Sequence, residues 1–256
     1  MRFRWRVYTS EDESLVERWM DEEAKRFTGC EDGWAEFYRY WANEPDIVPD
    51  RNFWVILACE NELPCAVFAI FEKDRMFTFS ECIVDPQKRG CGIGSAALRE
   101  CLQYAYEIIG MRIGEAMAVI FPENTASQRM FMRAGFRYVD THSDGDALYY
   151  LYTEPQYCFC GHDCAKCITR LSSRLKLESL QKRAVTFYRD AFQMELYPEE
   201  VQCSGARNGD VCRVCRDCPF MQCCKEKGFI SCVHCPNPCE QYITYKEKYV
   251  NQCHQI

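Results

Sequence analysis

The sequence predicts a mixed α/β (α+β) domain, with a central sheet flanked by helices, followed by a small cysteine-rich domain stabilised by metal. Three observations predict this organisation. Between residues 1 and 154, short apolar or alternating segments typical of strands are interspersed with amphipathic segments typical of helices. A glycine-rich turn at residues 89–95 joins one such strand to one such helix. Of the 20 cysteines, 14 follow Tyr157, so the C-terminal part has a composition of its own.

The elements of the first domain are predicted in the order β-α-α-β-β-β-α-β-α-β-β. Hydrophobic periodicity places the strands at residues 3–8, 52–59, 66–72, 77–84 and 116–121, with a terminal hairpin at 136–151 that turns near Asp144 and Gly145. It places the helices at residues 11–28, 32–42, 94–109 and 124–134, and one helix of the second domain at 171–192. Pro155 interrupts the strand-like residues that precede it, so the boundary separates residues 1–154 from residues 155–256.

Composition narrows the class of protein. The 256 residues exceed one typical domain, and a hydrophobic content of 48% supports a real core. No apolar run reaches the roughly 18–20 residues of a membrane helix, and no signal-peptide pattern opens the chain, so we expect a cytoplasmic protein without a membrane partner. In that reducing compartment dense cysteine favours metal ligands over disulfides. The net charge of −7 argues against nucleic acid as a partner.

The glycine-rich turn predicts a phosphate or pyrophosphate ligand. Glycines let the backbone turn tightly, and the helix that follows presents unpaired N–H groups at the positive end of its dipole. No Lys-Ser or Lys-Thr follows the last glycine, which excludes a Walker loop, and the glycines alternate, which fits the dinucleotide fingerprint poorly. The residues of the turn are Arg89, Gly90, Cys91, Gly92, Ile93, Gly94 and Ser95.

This turn resembles motif A of the GNAT acetyltransferase superfamily, Arg/Gln-x-x-Gly-x-Gly/Ala. Residues 123–127 and 131–136 resemble the later asparagine and Gly-Phe motifs of that family. The resemblance covers residues 1–154 and implies a GNAT fold and an N-acetyltransferase that uses acetyl-CoA. It also implies that the cofactor pyrophosphate lies on residues 89–95, and that the pantetheine arm follows Ile83 and Val84 and contacts Asn124. The alternative role for Asn124 is to cap a helix.

Acetyl transfer to an amine requires a base, since amines are mostly protonated at neutral pH. Glu81 is the candidate base, directly or through water, because it is the only carboxylate on its strand near the reacting end. The alternative is a solvent-facing strand residue. Where many family members carry a tyrosine that protonates the leaving thiolate, this sequence has Phe131. Coenzyme A thiolate, with a pKa near ~8.5, leaves tolerably without help, and Tyr138 or a water is the alternative acid.

The acceptor site predicted by the resemblance is walled by the first two helices. A negative field with interleaved aromatic rings suits a cationic amine, from a small molecule or from a protein or peptide. The alternative is a solvated helix face with its aromatic rings in the core. The acidic residues are Glu11, Asp12, Glu13, Glu17, Asp21, Glu22, Glu23, Glu31, Asp32 and Glu36, and the aromatic ones are Phe27, Trp34, Phe37, Tyr38 and Trp41.

Cysteines two residues apart predict metal binding in the second domain, because both sulfurs of such a pair can reach one ion. The candidate ligands are Cys160, Cys164, Cys167, Cys203, Cys212, Cys215, Cys218, Cys223, Cys232, Cys235 and Cys239. Residues 157–241 resemble a small cysteine-rich domain family of unknown function that opens with Cys-Gly-x-x-Cys-x-x-Cys. Where that family commonly has another cysteine this chain has Ala206, and Cys212 is the candidate replacement.

Zinc is the favoured metal and an iron–sulfur cluster is the alternative. Residues 160–167 copy the cysteine spacing of radical-SAM enzymes, but so short a domain cannot supply their barrel. Cysteines that are plain core residues are a further alternative. Three functions therefore stay open: an acetyltransferase with a structural or substrate-selecting metal domain, a non-catalytic acyl-CoA sensor or metal-dependent binding or regulatory protein, and an iron–sulfur redox protein.

Overall fold

The computed structural model of the protein describes residues 2–28, 30–43, 52–207, 209–216 and 218–250. The chain divides into two compact units, Met1–Thr153 and Glu154–Ile256. Every helix among the described residues is too short or too polar to cross a lipid bilayer.

The first unit is built on a mixed seven-stranded sheet with the spatial order β1-β2-β3-β4-β5-β7-β6. All neighbours pair antiparallel except β4 and β5, which are parallel. The strands are β1 (Arg4–Val7), β2 (Asn52–Glu60), β3 (Leu63–Lys73), β4 (Met76–Val84), β5 (Glu115–Ile120), β6 (Arg137–Thr141) and β7 (Leu148–Thr153). The helices are α1 (Glu13–Glu17), α2 (Glu22–Phe27), α3 (Trp34–Asn43), α4 (Ile93–Gln103), α5 (Ala105–Ile109) and α6 (Thr125–Arg133). The predicted mixed α/β fold and its element order are confirmed.

Two predicted helices are each divided in the structure. The segment predicted at 11–28 breaks between α1, which ends at Glu17, and α2. Asp21 is the N-cap of α2 and accepts a hydrogen bond from the N–H of Ala24 at 2.9 Å. The segment predicted at 94–109 breaks at Tyr104, which leaves helical geometry between α4 and α5. Amphipathic periodicity continues through both breaks, so the sequence pattern alone does not locate them.

The sheet carries an apolar cluster on each face. One face packs against α4, α5 and α6 through buried residues that include Phe77, Phe79 and Leu98. The other face packs against α1, α2 and α3 through residues that include Trp34 and Ile83. Strand β4 therefore contributes side chains to both layers.

A β-bulge at Ser80 allows β4 to change faces. Ala69 of β3 pairs with Glu81 and the next residue pairs with Phe79, so Ser80 has no partner across the ladder. Strict alternation would place Phe79 and Glu81 on the same face. The extra residue instead turns Glu81 and Ile83 toward the α1–α3 layer, while Cys82 packs against the α4–α6 layer.

Strands β4 and β5 separate after a short ladder. Only Phe77 and Thr78 of β4 pair with β5, opposite Ala116 and Met117. The remainder of β4 stays paired with β3 but leaves its other edge without a strand partner. This opening lies directly before the glycine-rich turn and positions the cavity described below.

The second unit consists of short helices joined by long loops. Its helices are α7 (Ile168–Leu175), α8 (Glu178–Phe192), α9 (Arg213–Arg216), α10 (Pro219–Lys227) and α11 (Glu240–Tyr245), followed by a π-helical turn, Lys246–Val250. The helix predicted at 171–192 is interrupted at Lys176, whose φ of 54° is left-handed and ends α7. Apolar clusters in the described part of this unit include one around Tyr188 and Leu196 and one around Phe220 and Tyr242.

Glu100 of α4 anchors the first strand of the sheet. Its carboxylate accepts hydrogen bonds from the backbone N–H groups of Arg2 (2.6 Å) and Phe3 (3.0 Å) and from the indole N–H of Trp5 (2.9 Å). Burial disfavours the charged form, but these donors outweigh it and lower the pKa of Glu100 below its ordinary value. The ionised carboxylate therefore stabilises the folded state above its unfolded pKa of about 4.3, and this stability is lost as the pH falls through the lower folded value.

We expect Glu100→Gln to lower the free energy of unfolding at pH 7 by about 1–3 kcal/mol, because a neutral amide is a weaker acceptor and brings an extra buried donor. Urea unfolding followed by tryptophan fluorescence measures the change. The difference between variant and wild type should shrink on acidification below about pH 4. Glu107→Gln on the exposed face of α5 is the control and should change little. A difference independent of pH would contradict the assigned role of the charge.

Candidate functional site

A cavity of about 260 Å³ lies at the opening beside β4 in the first unit. We call it the β4 cavity. The end of β4, the glycine-rich turn, the start of α4, one face of α6 and one face of α2 line it. Of the ten residues predicted to bind the cofactor, nine line it: Ile83, Val84, Arg89, Gly90, Gly92, Ile93, Gly94, Ser95 and Asn124. Cys91 is exposed and does not line the cavity.

The glycine-rich turn has the backbone geometry that its composition predicts. Gly92 is the N-cap of α4 and lies in the left-handed region with φ 78° and ψ 5°. Helix α4 thus starts at the cavity, and the N–H groups of its first turn have no acceptor within the helix. Gly94 is required for a steric reason, since a Cβ at this position would lie 2.6 Å from the Met130 sulfur of α6. Its lack of a side chain lets α4 pack closely on α6.

Arg89 joins the turn to the N-terminus of α2. Its guanidinium lies 2.6 Å from an Asp21 carboxylate oxygen and 3.5 Å from a Glu23 oxygen. It also donates to the carbonyl oxygens of Val84 (3.2 Å) and Trp19 (3.3 Å). The sequence predicts Arg89 as a cofactor ligand. In the structure its guanidinium instead forms ion pairs with these two carboxylates. The N-cap that begins α2 is consequently bound to the glycine-rich turn.

Three further cations line the β4 cavity, and the sequence analysis missed them. Lys88 precedes the turn, and Arg129 and Arg133 are one helical turn apart on α6. The spacing of four residues on the helix predicted at 124–134 was the signal available in the sequence. Together they give the cavity a positive rim, which suits a ligand with phosphate groups.

Asn124 has a structural role beside its place in the cavity wall. Its side-chain oxygen accepts a hydrogen bond from the N–H of Ser127 at 3.0 Å and caps α6. The helix that carries Arg129 and Arg133 therefore begins at a fixed point on the cavity.

Glu81 is buried, with 5% of its surface exposed, so the alternative of a solvent-facing residue is wrong. Its side chain does not line the β4 cavity, although its neighbours Cys82 and Ile83 do. It lies on the face of the sheet that packs against α1–α3, close to the thiol of Cys30. Burial, with a smaller contribution from the Glu81 charge, raises the pKa of Cys30 to about 12.

The aromatic residues near the predicted leaving-group position belong to the core. Phe131 is 3% exposed, and its ring packs edge-to-face on Phe136 and Phe79 at centroid distances of 4.8 and 6.3 Å. Tyr138 is half exposed, and its hydroxyl lies 2.7 Å from that of Thr141. Neither residue lines the β4 cavity.

Several acidic residues of the first helices have structural partners. Asp12 pairs with Arg6, Asp21 and Glu23 with Arg89, and Glu36 with Arg39. Glu17 accepts from the N–H groups at the start of α3. Of the aromatic residues, Trp34 and Phe37 are buried in the core and Phe27 lines the β4 cavity. The first helices therefore contribute aromatic rings both to the core and to the wall of the β4 cavity.

A larger cavity, of about 660 Å³, lies within the second unit. We call it the sulfur cavity, because seven cysteines line it: Cys158, Cys160, Cys164, Cys167, Cys203, Cys215 and Cys218. His162, Arg170, Phe187, Phe192 and Phe220 also contribute to its wall. It lies between the cluster around Tyr188 and the cluster around Phe220, since both of these residues line it.

Five of the cysteines that line the cavity form hydrogen bonds with one another or with the backbone. The sulfurs of Cys158 and Cys160 are 3.0 Å apart. A hydrogen bond from Cys158 lowers the pKa of Cys164 to about 6. The N–H of Gly205 donates to the sulfur of Cys203 at 3.4 Å. Burial raises the pKa of Cys167 to about 11, and nearby backbone N–H groups at the start of α7 partly offset that rise.

Five predicted metal ligands lie away from the sulfur cavity. Cys212 is buried in the cluster around Tyr188, and Cys232 faces the sulfur of Cys224 at 3.5 Å. Cys223, Cys235 and Cys239 do not line the cavity either. Within the described parts of the chain, no group of three or more His, Cys, Asp or Glu side chains is arranged to hold a metal ion. The thiol donor set fits a thiophilic metal.

Comparisons with known proteins bear on both units. Residues 156–244 match the model of a family described as a protein of unknown function, DUF3795. No curated protein matches the chain. Similar solved structures include a domain from Methanocaldococcus jannaschii DSM 2661 (19% identity, TM-score 0.46, covering 59% of this chain and 98% of that one). They also include an aminoglycoside acetyltransferase in complex with coenzyme A (17%, 0.48, 59% and 95%) and a spermidine N-acetyltransferase mutant from Vibrio cholerae (12%, 0.45, 59% and 93%).

The match of the first unit shows the family to which the chain belongs. Residues 2–137 match the model of the acetyltransferase (GNAT) domain, and this match spans more than half of the chain. The match includes β4, the glycine-rich turn and α6, which together form most of the β4 cavity. The protein belongs to the GNAT acetyltransferase family and carries a DUF3795 domain after its acetyltransferase domain.

Proposed function

We propose that residues 1–154 form an acetyl-CoA-dependent N-acetyltransferase domain and that residues 155–256 form a metal-binding domain. The observation that carries the first part is the start of α4 at Gly92, which faces a cavity along the open edge of β4. Unpaired N–H groups at a helix start bind phosphate oxygens. The charges of Lys88, Arg129 and Arg133 around the same cavity support a ligand with several phosphates.

The open edge of β4 supports the binding of an extended arm. An unpaired strand edge offers backbone N–H and C=O groups to a chain that lies beside it, in the manner of an added strand. Ile83 and Val84 line the β4 cavity at this edge. Acetyl-CoA supplies the activated acetyl group when it is bound. A backbone N–H of β4 would then stabilise the negative charge that develops on the carbonyl oxygen during transfer.

Glu81 is proposed as the general base. The Ser80 bulge directs it away from the α4–α6 layer and toward α1–α3, the layer from which an acceptor amine would approach. Since its neighbour Cys82 lines the β4 cavity, a water between Glu81 and the amine is the proposed route for the proton. Phe131 lies in the core, so no side chain is assigned to protonate the leaving thiolate.

The acceptor is proposed to be a cationic amine of a small molecule or a peptide. Glu23 and Phe27 of α2 line the β4 cavity. Glu22, Glu31 and Asp32 are exposed on or near α2 and add negative charge. A carboxylate and an aromatic ring at one entrance favour a protonated amine over an anionic acceptor.

Turnover with amines tests this function. We expect release of free coenzyme A from acetyl-CoA with at least one member of a panel of polyamines, amino acids and aminoglycosides. Polyamines should outperform amino acids, whose carboxylate would meet the negative charge of α2. Acetyl-CoA binding without turnover on any amine would favour the acyl-CoA sensor, a function consistent with the buried Phe131.

Substitution of Gly92 tests the cofactor site. We expect Gly92→Glu to weaken acetyl-CoA binding at least tenfold in calorimetry, because it places a carboxylate where phosphate would lie. Gly110→Glu is a matched control. Gly110 has the same left-handed geometry, φ 74° and ψ 6°, and neither glycine has an atom within 4 Å of a Cβ position. Gly110 caps α5 away from the β4 cavity, so both variants carry the same backbone strain and only the first should lose affinity.

Substitution of Glu81 tests the base. We expect Glu81→Gln to lower kcat by roughly 10²–10⁴ with little change in acetyl-CoA affinity, and to remove the acid limb of the pH–rate profile. Glu72→Gln, at an equally buried carboxylate on β3, is the control and should retain activity and the acid limb. If Glu81→Gln stays within a few fold of wild type, a carboxylate of α1–α3 becomes the candidate base.

The proposed metal-binding function of the second domain rests on the seven cysteines around the sulfur cavity. Thiolate ligands select zinc, copper(I) or iron–sulfur clusters. The spacing of the cysteines in the sequence favours zinc.

A further inference from the structure

We infer that the sulfur cavity is the site of a polynuclear iron–sulfur cluster, with Cys164, Cys167 and Cys215 among the ligands. This inference rests on the proposed metal-binding function of the second domain and narrows it. Cysteine spacing alone favoured zinc, so the inference comes from the way the fold arranges the sulfurs.

The volume of the sulfur cavity is the first observation. A zinc–sulfur bond of about 2.3 Å places the four sulfurs of a tetrahedral site about 3.8 Å apart, and such a site has no room inside it. The sulfur cavity has a volume of about 660 Å³. That volume is in the range of sites that hold whole cofactors, roughly 300–1,000 Å³. A cluster of several irons and sulfides uses such a volume, whereas a single ion does not.

The distribution of the cavity cysteines is the second observation. Four of them come from residues 158–167, and the others come from the loop before α9, from α9 itself and from the start of α10. Cys215 of α9 lines the same cavity as Cys160, Cys167 and Cys203. Cysteines far apart in the chain thus share one cavity, as the four ligands of a cluster must.

Backbone N–H groups around the sulfurs are the third observation. Cys167 directly precedes α7 and Cys218 directly precedes α10, so both sulfurs lie at the positive ends of helices. Gly205 donates its N–H to Cys203. N–H groups aimed at sulfur favour the thiolate form and tune iron–sulfur clusters, whereas neutral thiols are weak acceptors.

The remaining wall of the cavity suits a cluster. Phe187, Phe192 and Phe220 are apolar and limit the access of water. Arg170 is buried, and its cation offsets the negative charge that four thiolates would bring. His162 is buried on the same wall, with its Nε2 3.0 Å from the hydroxyl of Tyr245.

The test is metal and sulfide analysis of the full-length protein, purified without oxygen and then incubated with ferric iron, sulfide and dithiothreitol, which reduces part of the iron. We expect iron and acid-labile sulfide in about equal amounts, near four of each per chain for a cubane cluster, with broad visible absorption. Dithionite should bleach that absorption and produce an electron paramagnetic resonance signal. Zinc–thiolate has no visible absorption, so the spectrum separates the two metals.

Variants locate the cluster. Cys164→Ser, Cys167→Ser and Cys215→Ser should each lose most of the iron and the visible absorption. Cys224→Ser is the control, because Cys224 is buried in the same unit and does not line the sulfur cavity. Circular dichroism shows whether each variant is folded. Full iron retention in all three variants would overturn the assigned ligands.

The possible results separate the iron–sulfur cluster from the more general proposal that the second domain binds metal. Stoichiometric zinc, with no iron or sulfide even after incubation, would overturn the cluster and leave the metal-binding function intact. A protein that takes up neither zinc nor iron would overturn both. Acetyl-CoA binding and turnover by the first unit are measured separately and depend on neither result.

Discussion

The geometry of the first unit depends on how β4 pairs with its neighbours. Its ladder with β5 ends at Thr78, and its ladder with β3 contains one unpaired residue, Ser80. The first feature opens an edge of the sheet directly before the helix start at Gly92. The second moves Glu81 to the face that packs against α1–α3. Without the bulge, Glu81 would point into the layer of α4–α6, among phenylalanine rings, and would have no route to an acceptor.

Electrostatics couples the two halves of the proposed reaction site. Arg89 of the glycine-rich turn pairs with Asp21, which also caps α2. The helix proposed to receive the acceptor is therefore bound to the turn proposed to receive the phosphates. The charge of Arg89 is paired with the carboxylates of Asp21 and Glu23. The positive charge on the rim of the cavity comes from Lys88, Arg129 and Arg133. Opposite charges on the two sides of one cavity match a polyanionic cofactor and a cationic acceptor.

The sequence predicted what depends on local chemistry. The glycines of residues 89–95 predicted a tight turn before a helix, and in the structure Gly92 has left-handed geometry at the start of α4. The order of the elements followed from hydrophobic periodicity. Features that depend on pairing between distant segments were missed. The bulge at Ser80 is set by the register of β3, and the pairing of Arg89 joins residues 68 positions apart. Spacing identified paired cysteines but could not tell Cys215, which lines the sulfur cavity, from Cys235, which does not.

The second unit presents a different physical problem, because apolar residues in its described part form separate small clusters, among them one around Tyr188 and one around Phe220. The sulfur cavity lies between them, and residues of both clusters line it. Interiors of proteins are close-packed, so two clusters separated by a cavity gain little from each other. A group that bonds to sulfurs on both sides would join the clusters, and its binding free energy would become folding free energy. Cysteine is suited to this position, because it packs as a small apolar residue and binds metal as a thiolate.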